Sequence, residues 1–306
     1  MIRPGSPITE GPLSPAQVKR IMSLVRTATE VDGVAPLPEH VLLHLRYGTS
    51  ERCRDLIVTE GVEIAGYAHL DLPDPESDDA MSGELVVHPA RRRLGHGKAL
   101  AAALVTGAAG HAVRLWAHGD LPPAAGLARS GGFTRVRALW QMRRSLAEPT
   151  AEPTLPKGVT LRAFVPGRDE GQWLDLNRRA FASHPEQGSW TREDLRVREA
   201  EPWFDPAGFI LAVRDGRIAG FHWTKVHADA PGSRGRIGEV YVLGVDPGEQ
   251  GTGLGRTLTL AGLRYLRARG LVQVMLYVDE DNAAAIRLYQ SLGFLRWSTD
   301  VMYSRT

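Results

Sequence analysis

Cysteine is almost missing from this 306-residue chain: Cys53 stands alone. One thiol excludes an internal disulfide framework and a cysteine-based zinc site, and it suits a reducing compartment, so a cytoplasmic setting is expected. Long apolar runs are missing too. None approaches the roughly 18 residues of a membrane span, and the first residues lack a basic stretch leading into an apolar one, so no membrane partner is expected. Excess charge of one sign is also absent, with 37 Lys and Arg against 35 Asp and Glu. So even a balance argues against a nucleic-acid partner and leaves room for local anion sites only. An apolar share of 43% excludes disorder as the overall state.

What the chain does contain is a repeat. Ile64-Ala65-Gly66-Tyr67, Gly83-Glu84-Leu85-Val86-Val87, Arg92-Arg93-Leu94-Gly95-His96-Gly97 and Gly131-Gly132-Phe133 follow one another in the first half. Ile218-Ala219-Gly220-Phe221, Gly238-Glu239-Val240-Tyr241-Val242, Gln250-Gly251-Thr252-Gly253-Leu254-Gly255 and Leu292-Gly293-Phe294 keep the same order in the second, at offsets of 154, 155, 158 and 161. A drift that small marks a duplication. Residues 148–158 carry three prolines and no apolar periodicity, so they are expected as a stiff exposed linker between units at 1–147 and 159–306.

Each copy has an α+β pattern. Ser14-Pro15-Ala16-Gln17 combines an N-cap, a first-turn proline and a capping-box glutamine. In the second copy, residues 209–214 and 217–226 flank Asp215-Gly216 as a hairpin. A strand at 237–245, a helix at 254–269, a strand at 272–278, a helix at 282–291 and a last strand follow. The expected architecture is a mostly antiparallel central sheet flanked by helices in each unit.

Gly251-Thr252-Gly253-Leu254-Gly255-Arg256 is no dinucleotide fingerprint, because Arg256 stands where the third glycine belongs. Gly97-Lys98 is no nucleotide P-loop either, since Arg92 and Ala99 break its pattern. Both copies share Gln or Arg, two residues, Gly, one residue, Gly, between a strand and a helix start. That pattern turns backbone N–H groups toward an anion such as a pyrophosphate; the alternative is a tight turn with no ligand.

The carboxyl-terminal loop, following Val242-Leu243-Gly244-Val245-Asp246-Pro247, resembles the acyl-CoA loop of the GCN5-related N-acetyltransferases. Over the whole chain, the two copies together with His184-Pro185-Glu186-Gln187-Gly188, residues 220–227 and residues 282–294 resemble the mycothiol synthases, a tandem branch of that superfamily. The likeness is dense in the second copy and looser in the first; the loop at 228–236 is long for the family. The resemblance implies two tandem acetyltransferase domains, acetyl-CoA as co-substrate, no metal, and a monomer acting on the cysteinyl amine of Cys-GlcN-Ins. An acetyltransferase for an aminoglycoside or a protein amino terminus, or a non-enzymatic acyl-CoA binder, remain alternatives.

The resemblance also assigns residues. Leu243, Gly244 and Val245 on the strand, Gln250, Gly251, Thr252, Gly253, Leu254, Gly255 and Arg256 in the loop, and Asn282, Ala283, Ala284, Ala285, Ile286 and Arg287 at the next helix start would bind acetyl-CoA. In the first copy Leu85, Val86, Val87, Arg93, Leu94, Gly95, His96, Gly97 and Lys98 would hold a CoA-like ligand. Glu239 would be the general base and Tyr289 the general acid, against plain readings as a salt-bridged carboxylate and a core tyrosine. Glu39, Glu186, Lys225, Glu239 and Tyr277 would meet the amine substrate. At offset 161 Tyr289 becomes Ala128, so only the second copy is expected to be catalytic, with Glu84 kept in the place of Glu239 at offset 155. The run Arg91-Arg92-Arg93 is expected to meet CoA phosphates. His40 and His44 sit one helical turn apart, but Val41 replaces the glutamate of a zincin, so no metal is expected there. Cys53 reads as a structural thiol.

Overall fold

Ser14 accepts the Gln17 N–H and Gln17 accepts the Ser14 N–H, closing the capping box that starts α1 (Pro15–Asp32). The structure, a computed structural model, describes residues 7–48, 52–73, 80–182, 184–227 and 235–306. It forms two compact units, Met1–Trp140 with Ser298–Thr306, and Gln141–Trp297.

The amino-terminal unit holds β1 (Ile8–Glu10), α1, α2 (Glu39–Tyr47), β2 (Cys53–Glu60), β3 (Glu63–Asp71), β4 (Met81–Val87), α3 (His96–Gly107), β5 (Val113–Ala117), α4 (Pro122–Ser130) and the start of β6 (Thr134–Ser145). The carboxyl-terminal unit holds β7 (Val159–Ala163), α5 (Glu170–Ala180), α6 (Pro185–Gly188), α7 (Arg192–Glu199), β8 (Phe209–Arg214), β9 (Arg217–His227), β10 (Ile237–Val245), α8 (Leu254–Ala268), β11 (Gln273–Asp279), α9 (Ala283–Ser291) and the start of β12 (Leu295–Arg305). Strand order is β1-β2-β3-β4-β5-β12 in the first unit and β7-β8-β9-β10-β11-β6 in the second. β4–β5 and β10–β11 are parallel; the hairpin pairs are antiparallel.

These units differ from a division at 148–158. Val301–Arg305 of β12 pair with β5, so the chain's last strand completes the first sheet, and Gln141–Ser145 of β6 lie in the second unit. A strand goes where its backbone groups find partners, whatever its place in the sequence. The proline-rich stretch is exposed for the most part, yet Thr150 is buried and its carbonyl accepts from Arg264, which corrects the fully exposed linker.

The duplication is visible in the backbone. α4 and α9 lie 161 residues apart at both ends, and the short 3-10 turns Pro89–Arg91 and Pro247–Glu249 lie 158 apart. One-residue bulges fall at Ala65 on β3 and Ala219 on β9, 154 apart. The cores differ in chemistry. The first unit packs aliphatic residues such as Ile21, Leu56, Val58, Leu70, Leu100 and Leu104. The second stacks Phe209 on Trp223 with ring centres 4.4 Å apart and sets Trp173 edge-on to both.

Candidate active site

β10 pairs with β11 over Gly238–Val240 only, although β10 runs on to Val245 and β11 to Asp279. Tyr241 is the extra residue of a bulge against β9, between the pairs Val240–Thr224 and Val242–Trp223. A bulge adds twist, and here it coincides with the point where the parallel pairing stops. From Tyr241 onward one edge of β10 has no partner on β11, which leaves backbone groups for an extended ligand arm.

The strand leads into the glycine loop. Asp246 accepts the Gly248 N–H at 3.0 Å, and Gly251 and Gly253 hold φ of 78° and 86°, a region that costs an L side chain about 1–2 kcal/mol. Gly253 is the N-cap of α8 and no side chain caps the helix, so its first-turn N–H groups face outward as anion donors. Asn282 caps α9 through the Ala285 N–H at 3.0 Å. Arg256 in the first turn of α8 donates to Ser291 at 2.9 Å, tying that turn to the end of α9.

Glu239 is 7% exposed, and its Oε2 lies 2.6 Å from Nε2 of His227, one alternate position beyond its cross-strand partner Lys225. Lys225 is buried, with Nζ 4.4 Å from the Trp203 ring centre and 4.9 Å from that of Tyr241. Arg198 donates to the Tyr241 hydroxyl at 2.9 Å and lies over Trp190. Tyr277, 42% exposed on β11, accepts from Gln141 at 2.7 Å. Tyr289 on α9 is buried edge-on to Phe294, and burial pushes its phenol up, so it stays protonated and able to donate. Glu186 lies on α6 with its side chain outside the described residues. Glu39 opens α2 in the amino-terminal unit, half-buried.

The amino-terminal unit repeats the backbone and changes the chemistry. β4 pairs with β5 over Met81–Gly83 only, then runs on through Leu85, Val86 and Val87. Gly95 caps α3 with φ 92° and no side-chain cap, and Arg93 adopts φ 63° where the other copy has Gly251. Arg92 forms a two-bond pair with Asp32 at 2.6 and 2.7 Å, and Arg91 pairs with Glu60 at 3.0 Å. Those two arginines serve carboxylates of their own unit, a correction to the reading of the whole run as phosphate ligands; Arg93 and Lys98 remain exposed.

Strand register corrects the match between Glu84 and Glu239. Glu239 faces Lys225 on β9 and Met275 on β11; Asp71 and Arg114, the same positions at offsets 154 and 161, both face Ser82. Glu84 instead falls level with Val242, because the Gly-Glu motif stands two residues later in β4 and β10 adds a bulge. The first copy therefore has serine in place of the glutamate and Ala128 in place of Tyr289.

The sequence profile of the Acetyltransferase (GNAT) family matches residues 20–133 and again 172–294. Mycothiol acetyltransferases of Thermobispora bispora and Thermomonospora curvata are 62% and 61% identical to the chain, each over 95% of it and over 97% and 94% of their own lengths. The chain belongs to the mycothiol acetyltransferase family of tandem GNAT proteins. Among solved structures, a tandem GNAT protein from the clavulanic acid biosynthesis pathway shares the fold at a TM-score of 0.75 and 24% identity, covering 98% of both chains. A GCN5-related N-acetyltransferase from Sphaerobacter thermophilus matches at 0.69 and 25% identity, over 97% of this chain and 95% of its own. The GNAT fold carries acetyl-CoA as its co-substrate. Among the described residues no helix is long and apolar enough to cross a membrane.

Sequence reasoning missed His227 as a partner of Glu239, and with it the ring pair around Lys225. The signal was the alternation of Lys225 and His227 on one strand face. It became readable only once the register of β9 against β10 placed Glu239 opposite Lys225 and within reach of His227.

Proposed function

We propose that the chain moves acetyl from acetyl-CoA to the cysteinyl amine of Cys-GlcN-Ins, the last step in making mycothiol, and that the carboxyl-terminal unit does the chemistry as part of a cytoplasmic monomer. The observation that carries the mechanism is the buried Glu239 carboxylate, 2.6 Å from His227, where β10 parts from β11. Leu243 to Val245 and the loop from Gln250 to Arg256 hold the co-substrate by backbone donors, with the start of α9 beside them.

Glu239 takes a proton from the substrate ammonium, directly or through water, and His227 steadies the carboxylate and shares the proton. The freed amine lone pair forms the N–C bond at the thioester carbonyl. As the C–S bond breaks, the leaving thiolate takes the proton that Tyr289 donates, the nitrogen's second proton returns to the Tyr289 phenolate directly or through water, and Glu239 releases the first proton to solvent. Lys225, Tyr277 and Glu186 supply polar groups for a substrate rich in hydroxyls.

Mass spectrometry of Cys-GlcN-Ins incubated with acetyl-CoA and the protein should show one acetyl group gained on the amine. No transfer to Cys-GlcN-Ins, with transfer to an aminoglycoside or a peptide amino terminus, would overturn the substrate assignment.

A further inference from the structure

Under α2, the amino-terminal sheet gathers donor side chains where its duplicate packs rings. Cys53 and Asp55 alternate on β2, Tyr67, His69 and Asp71 alternate on β3, and the register sets Cys53 opposite Asp71 and Asp55 opposite His69. Alternate residues share a face. His40 and His44, one turn apart on α2, meet that face through Asp71 and Asp55. At offset 154 the positions of Asp55, Tyr67 and His69 are Phe209, Phe221 and Trp223, all wholly buried in the carboxyl-terminal core.

The geometry is convergent. His44 Nε2 lies 2.9 Å from Asp55 Oδ2 and 3.4 Å from Cys53 Sγ, and His69 Nδ1 lies 2.9 Å from Asp55 Oδ1. One donor atom from each of these four residues falls within 4.8 Å of all the others. A tetrahedral zinc ion with bonds of about 2.0–2.1 Å to N and O and 2.3 Å to S would set edges of about 3.3–3.6 Å, so shifts of tenths of an ångström to about one ångström complete the polyhedron.

Two features separate this from a Cys–His–Asp proton relay. Nε2 of His44 is the nearer nitrogen to both the carboxylate and the sulfur, at 2.9 and 3.4 Å, with Nδ1 3.9 Å from the sulfur, whereas a relay uses opposite ring nitrogens. His69 turns its other nitrogen to Asp71 Oδ1 at 3.2 Å, and Asp71 is held in turn by His40 at 2.9 Å, the carboxylate–histidine arrangement that orients a metal ligand. Charge also balances: a thiolate and a carboxylate with two neutral imidazoles neutralise a divalent ion. Glu84, directly opposite His69 on β4 and buried, has one carboxylate oxygen with no hydrogen-bond partner among the described residues, and burial raises its pKa. A cavity of about 730 Å³ opens onto His44, Cys53 and Asp55 and offers a path for an ion.

We propose that His44, Cys53, Asp55 and His69 bind a zinc ion that ties α2 to β2 and β3. Mixed N, S and O donors of this kind suit zinc, and four protein ligands make a closed, structural site. Its place in the fold fixes the helix that begins with Glu39. This departs from the sequence expectations that a lone cysteine excludes a cysteine-based zinc site and that the i, i+4 histidine pair meets no metal: the pair lacked a third ligand in its own helix, and strand pairing supplies the others.

The test is metal content and cobalt spectroscopy of untagged full-length protein. Dialysed protein should retain zinc in a one-to-one ratio, and cobalt-loaded protein should show the intense near-ultraviolet thiolate band with tetrahedral visible bands. Cys53→Ser should remove the thiolate band and weaken zinc binding by more than ~100-fold, and Asp71→Asn should weaken it by ~10–100-fold while keeping the band. Folded wild-type protein that retains no zinc and gives no cobalt–thiolate band overturns the site and leaves a proton-sharing His–Asp network. A band that survives Cys53→Ser overturns it as well, because the ion would then sit elsewhere. The wild-type spectrum decides even where a variant fails to fold.

Discussion

Asp55 and His69 face each other in one unit where Phe209 and Trp223 stack in the other, 154 residues along. The two sheets share bulges, strand splay and glycine loops, yet one spends this face on polar pairs and the other on rings. Backbone geometry survived duplication because it rests on glycines, caps and hydrogen-bond ladders spread over many residues. Chemistry diverged because it rests on single side chains: Glu239 against Ser82, Tyr289 against Ala128.

The sharpest way to break that contrast is at the glutamates. Glu239→Gln should lower kcat by ~10³-fold with the KM for acetyl-CoA nearly unchanged, since the carboxylate handles a proton and not the phosphates. Glu84→Gln should leave steady-state kcat within about twofold. Equal losses from both variants would mean that the strand register misassigns the roles.

Tyr289→Phe should slow single-turnover acetyl transfer by ~10²-fold by removing the proton donor while keeping the ring packed on Phe294. An unchanged single-turnover rate would reduce Tyr289 to a core residue like its neighbours.

The units should also respond oppositely to pH. His222 is wholly buried, donates from Nδ1 to the Leu258 carbonyl at 2.8 Å, and is held down to about 4 by desolvation. Its folded value is depressed below the ordinary ~6.5, so the stability tied to the neutral ring is full above ~6.5 and is lost as pH falls toward 4, about 3 kcal/mol in all. His118 runs the other way. Burial alone would lower it, but the 2.9 Å bond to Asp300 raises it overall, so its contribution is full below ~6.5 and is lost as pH rises through the raised value. Urea unfolding followed across pH should show a smaller acid slope in His222→Asn; an identical slope would remove His222 as the cause.

The smallest expected effect is in the loops. Gly253→Val should raise the KM for acetyl-CoA by ~10-fold, because a left-handed φ opposes the side chain and its Cβ would enter open space beside the helix start where the anion is proposed to bind. Gly95→Val should leave turnover nearly intact if circular dichroism shows a folded protein. Matching losses in two folded variants would make the amino-terminal loop part of catalysis.

Much of the second unit was legible in the chain. Asp215-Gly216 announced the β8–β9 hairpin, and both residues do take positive φ, 48° and 75°. Gly253 announced the start of α8, and Asn282 that of α9, because caps and turns are written within a few residues. The pairing of Glu239 with His227 was not legible, since they stand twelve positions apart in sequence and meet only through strand register.

The sequence by itself determined that there are two copies, where their glycine loops lie, and that the second keeps a glutamate and a tyrosine in its motifs; such features are local and survive as short patterns. Only the tertiary structure decided that β12 completes the first sheet, that Ser82 and not Glu84 stands in the place of Glu239, and that a lone cysteine lies against two histidines and an aspartate. The physical reason is the same in all three cases. Strand partners are chosen by hydrogen-bond register across long stretches of chain, and a shift of two residues or one bulge re-addresses every side chain without changing the motif that names it.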